Sequence, residues 1–98
     1  MSLGFPSGKP RVLRATVLAA ATEKRQLPAM TVALELVNEG GGGELRLYFS
    51  DPAVAPTPDF YRIATTARSP VLPVEANEVW ILASGGNVTY QLTTFHVG

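Results

Sequence analysis

The sequence predicts an all-β domain, a small antiparallel β-sandwich or flattened barrel of about seven strands. Three observations carry that expectation. Short runs rich in β-branched and aromatic residues alternate apolar with polar side chains at period two. Clusters of Gly, Pro and Asn punctuate those runs at intervals of about ten to fifteen residues. No stretch offers a convincing long helix, so the crossovers that a parallel βαβ sheet needs are missing.

Residues 1–10 are rich in Gly, Pro and Ser without periodicity, and predict an extended or flexible N-terminal arm ahead of a single sandwich domain over 11–98. Met1-Ser2-Leu3 reads as an appended leader, and the arm as a frayed terminus, with Leu3 and Phe5 anchoring it on a neighbouring subunit as the alternative. The alanines of Arg11 to Thr22 favour helix. The alternation of Leu13, Ala15, Val17 and Ala19, together with Pro10, favours a strand. Thr22 to Gln26 is read as a polar connection, and Met30 to Asn38 as a strand with Val32, Leu34 and Leu36 on its apolar face.

Gly40 to Gly43 invites comparison with a phosphate-binding loop, but no Lys-Ser/Thr pair follows and Glu39 and Glu44 flank it with negative charge. A loose hairpin turn is the expected use. Glu44 to Ser50 is a strand with Leu45, Leu47 and Phe49 inward and Glu44, Arg46 and Tyr48 outward. Asp51 to Asp59 holds three prolines and must be a surface loop. Phe60 to Ala64 forms a short strand, and the prolines of Pro70 to Val74 place that segment at a sheet edge.

The strongest local signal is a β-hairpin over Leu72 to Phe95, with Val79 to Ser84 and Val88 to Phe95 joined through Gly85-Gly86-Asn87. Turn length decides its faces. A two-residue turn, the preferred one, puts Val79, Ile81, Ala83, Val88, Tyr90 and Leu92 on the core face and leaves Trp80 and Leu82 as contact residues on the other. A three-residue turn buries Trp80 instead.

Composition narrows the function. Lys plus Arg and Asp plus Glu are both 8, so no net field favours nucleic acid or anionic lipid. Neither a signal peptide nor an apolar run of the ~20 residues that span a bilayer is present. With 0 cysteines there is no disulfide, thiolate metal site or thiol nucleophile. His96, the only histidine, is expected as an exposed tail residue, and Asp51 and Asp59 as ordinary turn residues. No catalytic, cofactor or metal site is therefore expected. Only 16% of residues are charged against 46% hydrophobic, which implies either apolar surface covered by a partner or by further copies, or a β surface tiled with Ala, Val and Thr. Tyr48, Tyr61, Trp80 and Tyr90 raise a stacking platform for sugars as a further reading.

Leu27-Pro28-Ala29, the strand ending Leu36-Val37-Asn38, Leu45-Arg46-Leu47-Tyr48-Phe49 and the closing Asn77 to Tyr90 segment together resemble small β-sandwich virion proteins of tailed bacteriophages, capsid decoration and head-fibre-like components among them. The glycine run and the three-proline loop depart from that pattern, which expects compact turns there. The resemblance implies a non-enzymatic structural protein in the virion or, as a prophage product, in the bacterial cytoplasm. It would act as a homo-oligomer or on a capsid protein, with Phe5, Trp80 and Leu82 as candidate interface residues. The alternative from the residues alone is a carbohydrate- or peptide-binding sandwich module.

Overall fold

The computed structural model describes residues 10–53, 60–74 and 77–97. It is all-β, with eight strands among the described residues: β1 (Arg11–Val17), β2 (Thr22–Gln26), β3 (Thr31–Gly40), β4 (Glu44–Tyr48), β5 (Phe60–Ile63), β6 (Leu72–Pro73), β7 (Glu78–Ser84) and β8 (Val88–His96). Two four-stranded antiparallel sheets form, ordered β1-β8-β3-β6 and β2-β7-β4-β5. Every connection except β4 to β5 crosses from one sheet to the other. That order is the double-sheet jelly roll.

Alternation explains the core directly. Leu34 and Leu36 from β3 and Val88, Tyr90 and Leu92 from β8 face Leu45 and Leu47 from β4 and Val79, Ile81 and Ala83 from β7, all of them buried. Val17, Ile63, Leu72 and Val74 extend the cluster to the ends of the sandwich. Each fully buried aliphatic side chain contributes about 1.5–3 kcal/mol relative to exposure.

The eighth strand is the segment expected to be a polar connection. Thr22 to Gln26 pairs with β7, Glu23 opposite Ile81 and Arg25 opposite Val79. Its charges misled because strand length and alternation, not hydrophobicity, define an edge strand that points polar groups into an open mouth.

The expected hairpin over Leu72 to Phe95 is likewise corrected. β7 pairs with β2 and β4 whereas β8 pairs with β1 and β3, so Gly85-Gly86-Asn87 spans from sheet to sheet rather than joining partners. The inward set is still Val79, Ile81, Ala83, Val88, Tyr90 and Leu92. Two strands facing each other across a core bury the same alternate residues as two strands paired in one sheet, so periodicity does not separate the cases. Gly40 to Gly43 is also a crossing, from β3 to β4, and not a hairpin turn.

These two crossings lie against each other. A Cβ on Gly43 would sit 2.7 Å from the Ser84 carbonyl oxygen and 2.8 Å from the Gly86 nitrogen, so only glycine fits. Asn38, buried at the end of β3, donates through Nδ2 to the Gly43 carbonyl at 3.0 Å and accepts from the Gly40 amide at 2.8 Å. Asn87 accepts from the Ala19 amide at 2.8 Å and ties in the β1–β2 connection.

His96 is not an exposed tail residue. It ends β8 with 7% exposure, its Nε2 lying 2.9 Å from Thr94 Oγ1 and its Nδ1 3.4 Å from Thr31 Oγ1. β8 is an interior strand, and the turn from Pro28 to Thr31 covers its end, with the Val97 amide donating to the Met30 carbonyl at 3.1 Å. Asp51 is the turn residue expected, accepting from the Ala53 amide at 2.9 Å, while Asp59 lies outside the described residues. So does the arm from 1 to 9, Phe5 included. Among the described residues no helix is long and apolar enough to cross a membrane.

Candidate functional site

The outward face of the second sheet carries the unusual chemistry. Because strands of an antiparallel ladder set directly opposed side chains on one face, Lys24, Trp80, Tyr48 and Phe60 form a row across β2, β7, β4 and β5. Thr22, Leu82, Arg46 and Arg62 form the row beside it. Trp80 and Leu82, the two candidate interface residues among the described residues, are therefore neighbours on this face, both partly buried.

Tyr48 points outward as expected yet is only 4% exposed, because Phe60 packs on it with ring centroids 5.2 Å apart and planes at 47°. Phe49, expected inward, is partly buried against the core. The Arg46 guanidinium lies 4.9 Å from the Phe60 ring centroid, a cation–π contact. Its Nε is buried without a hydrogen-bond partner among the described residues, the Glu44 carboxylate standing 3.7 Å away. Glu44 instead binds Arg62 Nε at 2.6 Å. At the rim Lys24 pairs with Glu78 at 2.6 Å, and that hydrogen bond raises the lysine pKa. Phe60 remains 43% exposed.

The row thus offers an aromatic surface with a fixed cation and neutralised edges. Sequence reading found Trp80, Leu82 and Tyr48 but missed Phe60 and Arg46, whose place in the row depends on which strands pair.

A second cluster lies inside the mouth between β1 and β2. Tyr90 Oη donates to Glu23 Oε1 at 2.9 Å and accepts from Arg25 Nε at 2.8 Å, while Arg25 Nη2 reaches the same carboxylate at 2.9 Å. Burial pushes the Tyr90 hydroxyl up to about 12, and its hydrogen bond to Tyr90 raises Arg25 further. The triad satisfies two charges at an apolar margin, and the neighbouring interior is filled by Leu, Ile and Val. Tyr90 is therefore a core residue rather than part of a stacking platform. No group of three or more His, Cys, Asp or Glu stands together among the described residues.

No family model and no curated protein matches the chain. Solved structures do. The chain is similar to an HTH_3 family transcriptional regulator from Vibrio cholerae, at TM-score 0.63 and 9% identity over 91% of this chain and 44% of that one. It is also similar to the hydroxypropylphosphonic acid epoxidase of S. wedmorenis, at TM-score 0.56 and 18% identity over 86% and 42% of the two chains. A conserved protein of unknown function from Streptococcus pyogenes matches at TM-score 0.60 and 11% identity, over 94% of this chain and 68% of that one. The chain spans less than half of the regulator and of the epoxidase. At these identities the likeness is one of fold.

Proposed function

We propose that this protein is a non-enzymatic structural component of a tailed-phage or prophage virion, working in repeated copies on a capsid-type protein lattice. The observation that carries the reading is the Lys24-Trp80-Tyr48-Phe60 row with Leu82 and Arg46 beside it. Aromatic residues and arginine are the types enriched in the buried centres of protein interfaces and among their energetic anchors. A lattice multiplies a modest contact per subunit, so a few such side chains suffice. The phage-like sequence segments and the sparse charge, 16% of residues, point the same way.

The ring geometry favours a protein surface over a sugar. Stacking on a pyranose needs flat, accessible rings, whereas Tyr48 is 4% exposed and inclined by 47° to Phe60. Co-sedimentation of purified protein with phage heads, comparing wild type with Trp80→Ala and Leu82→Ala, tests the reading. Saturable binding by the wild type and loss in both folded variants is expected. No binding to heads together with a positive glycan array would replace the reading with a carbohydrate module.

A further inference from the structure

Four strands lie at sheet edges: β1 and β6 in the first sheet, β2 and β5 in the second. A free edge is a template for another strand unless something blunts it. β6 has two residues, one of them Pro73. β5 has four, including the solvent-exposed Arg62. β2 carries Glu23, Lys24 and Arg25 in succession, two of which point inward. β1 is the longest of the four, seven residues without proline; between its exposed Arg11 and Arg14 it leaves Val12 60% exposed.

Leu13 makes the point sharper. It lies opposite Leu92, which is buried, and so belongs to the core-facing side of β1, yet it is 38% exposed. A cleft of about 200 Å³ opens beside it, lined among others by Val12, Leu27, Leu92, Arg11 and Arg25.

We propose that β1 pairs antiparallel with β1 of a second copy about a two-fold axis, joining two four-stranded sheets into one continuous sheet of eight. The sequence of β1 selects the register. When the core-facing sides of both copies stay on one face, only residues of equal parity stand opposite each other. Centring the axis on Arg14 would set two arginines directly against one another, which is unfavourable. Centring it on Leu13 would set Val12 against Arg14 and Arg11 against Ala15, an apolar side chain opposite a charged one each time. Centring it on Ala15 places Arg14 opposite Thr16 and Leu13 opposite Val17, and brings Val12 toward Leu18, itself 62% exposed. No like charges stand directly opposite each other, because Arg14 faces Thr16. This surface is separate from the Trp80 face, so its failure leaves the lattice reading standing and the reverse also holds.

Sedimentation equilibrium of the full chain up to about 1 mM, with two variants at one exposed position, reads the register directly. Thr16→Arg sets arginine against Arg14 twice per dimer and should weaken dimerisation about three- to tenfold, while Thr16→Glu should strengthen it by a similar factor. Because the chain has 0 cysteines, Ala15→Cys gives a clean second readout. Oxidation should cross-link it into a covalent dimer. Val12→Cys should not cross-link, its two copies lying roughly 20 Å apart in this register. A strict monomer at that concentration overturns the proposal. So does a dimer indifferent to both Thr16 variants, or cross-linking of Val12→Cys as efficient as that of Ala15→Cys.

Discussion

The two outer faces of this sandwich are built on the same backbone plan and carry opposite chemistries. On the first sheet the rows read Val12, Thr93, Glu35 and Arg14, Gln91, Val37, short or polar side chains that water satisfies. On the second they read Lys24, Trp80, Tyr48, Phe60 and Thr22, Leu82, Arg46, Arg62. Both faces obey the same alternation, so period two separates core from surface but says nothing about which surface works. What separates them is side-chain size: the second sheet's rows carry large rings, of which Phe60 stays 43% exposed and Trp80 partly so, while Tyr48 is packed beneath Phe60.

That contrast can be broken from the inside outward. Ile81→Ala removes a fully buried side chain between the faces and should cost about 2–5 kcal/mol in chemical denaturation, lowering stability whether or not anything is bound. Tyr90 should give the next largest effect. Its hydroxyl, raised from 10.0 to about 12 by burial, favours the folded state fully below pH 10. As pH climbs from 10 toward 12 that contribution should be lost, roughly 2–3 kcal/mol in all. Denaturation midpoints measured across the window should fall for wild type, and the fall should be smaller by that amount in Tyr90→Phe.

Trp80→Ala should weaken binding to a lattice partner by about 2 kcal/mol, some thirtyfold, while circular dichroism reports a folded chain. Gln91→Ala, the mirror change on the opposite face, should alter both binding and stability by less than about 0.5 kcal/mol. Equal effects of these last two on binding would erase the distinction between the faces.

Much of this was legible in the sequence, for reasons particular residues make plain. Leu34, Leu36, Leu45, Leu47, Val79 and Ile81 alternate cleanly, so the all-β class and the core face follow from them alone. The same alternation placed Trp80 and Leu82 outward although the hairpin used to argue it does not exist, because a sheet-crossing pair and a hydrogen-bonded pair share one periodicity. Thr22 to Gln26 escaped notice since its inward positions, Glu23 and Arg25, find partners in Tyr90 rather than in an apolar core. His96 looked terminal in sequence and is interior in space, a matter of strand order that no local pattern encodes. Both glycine runs were read as turns within one sheet and are crossings between sheets, and their mutual contact joins residues some forty positions apart and is invisible locally.

β8 lies between β1 and β3, with Arg11 paired to Thr94 and Leu36 to Leu92. The first sheet therefore has no centre until its final strand arrives. During synthesis β1 and β3 must wait on the ribosome without the strand that joins them, and β3, with β6 at its other edge, waits with its apolar face uncovered. Folding dominated by such distant pairings is slow. A chain halted at the Gly85-Gly86 crossing would hold seven of the eight strands and still lack a closed core.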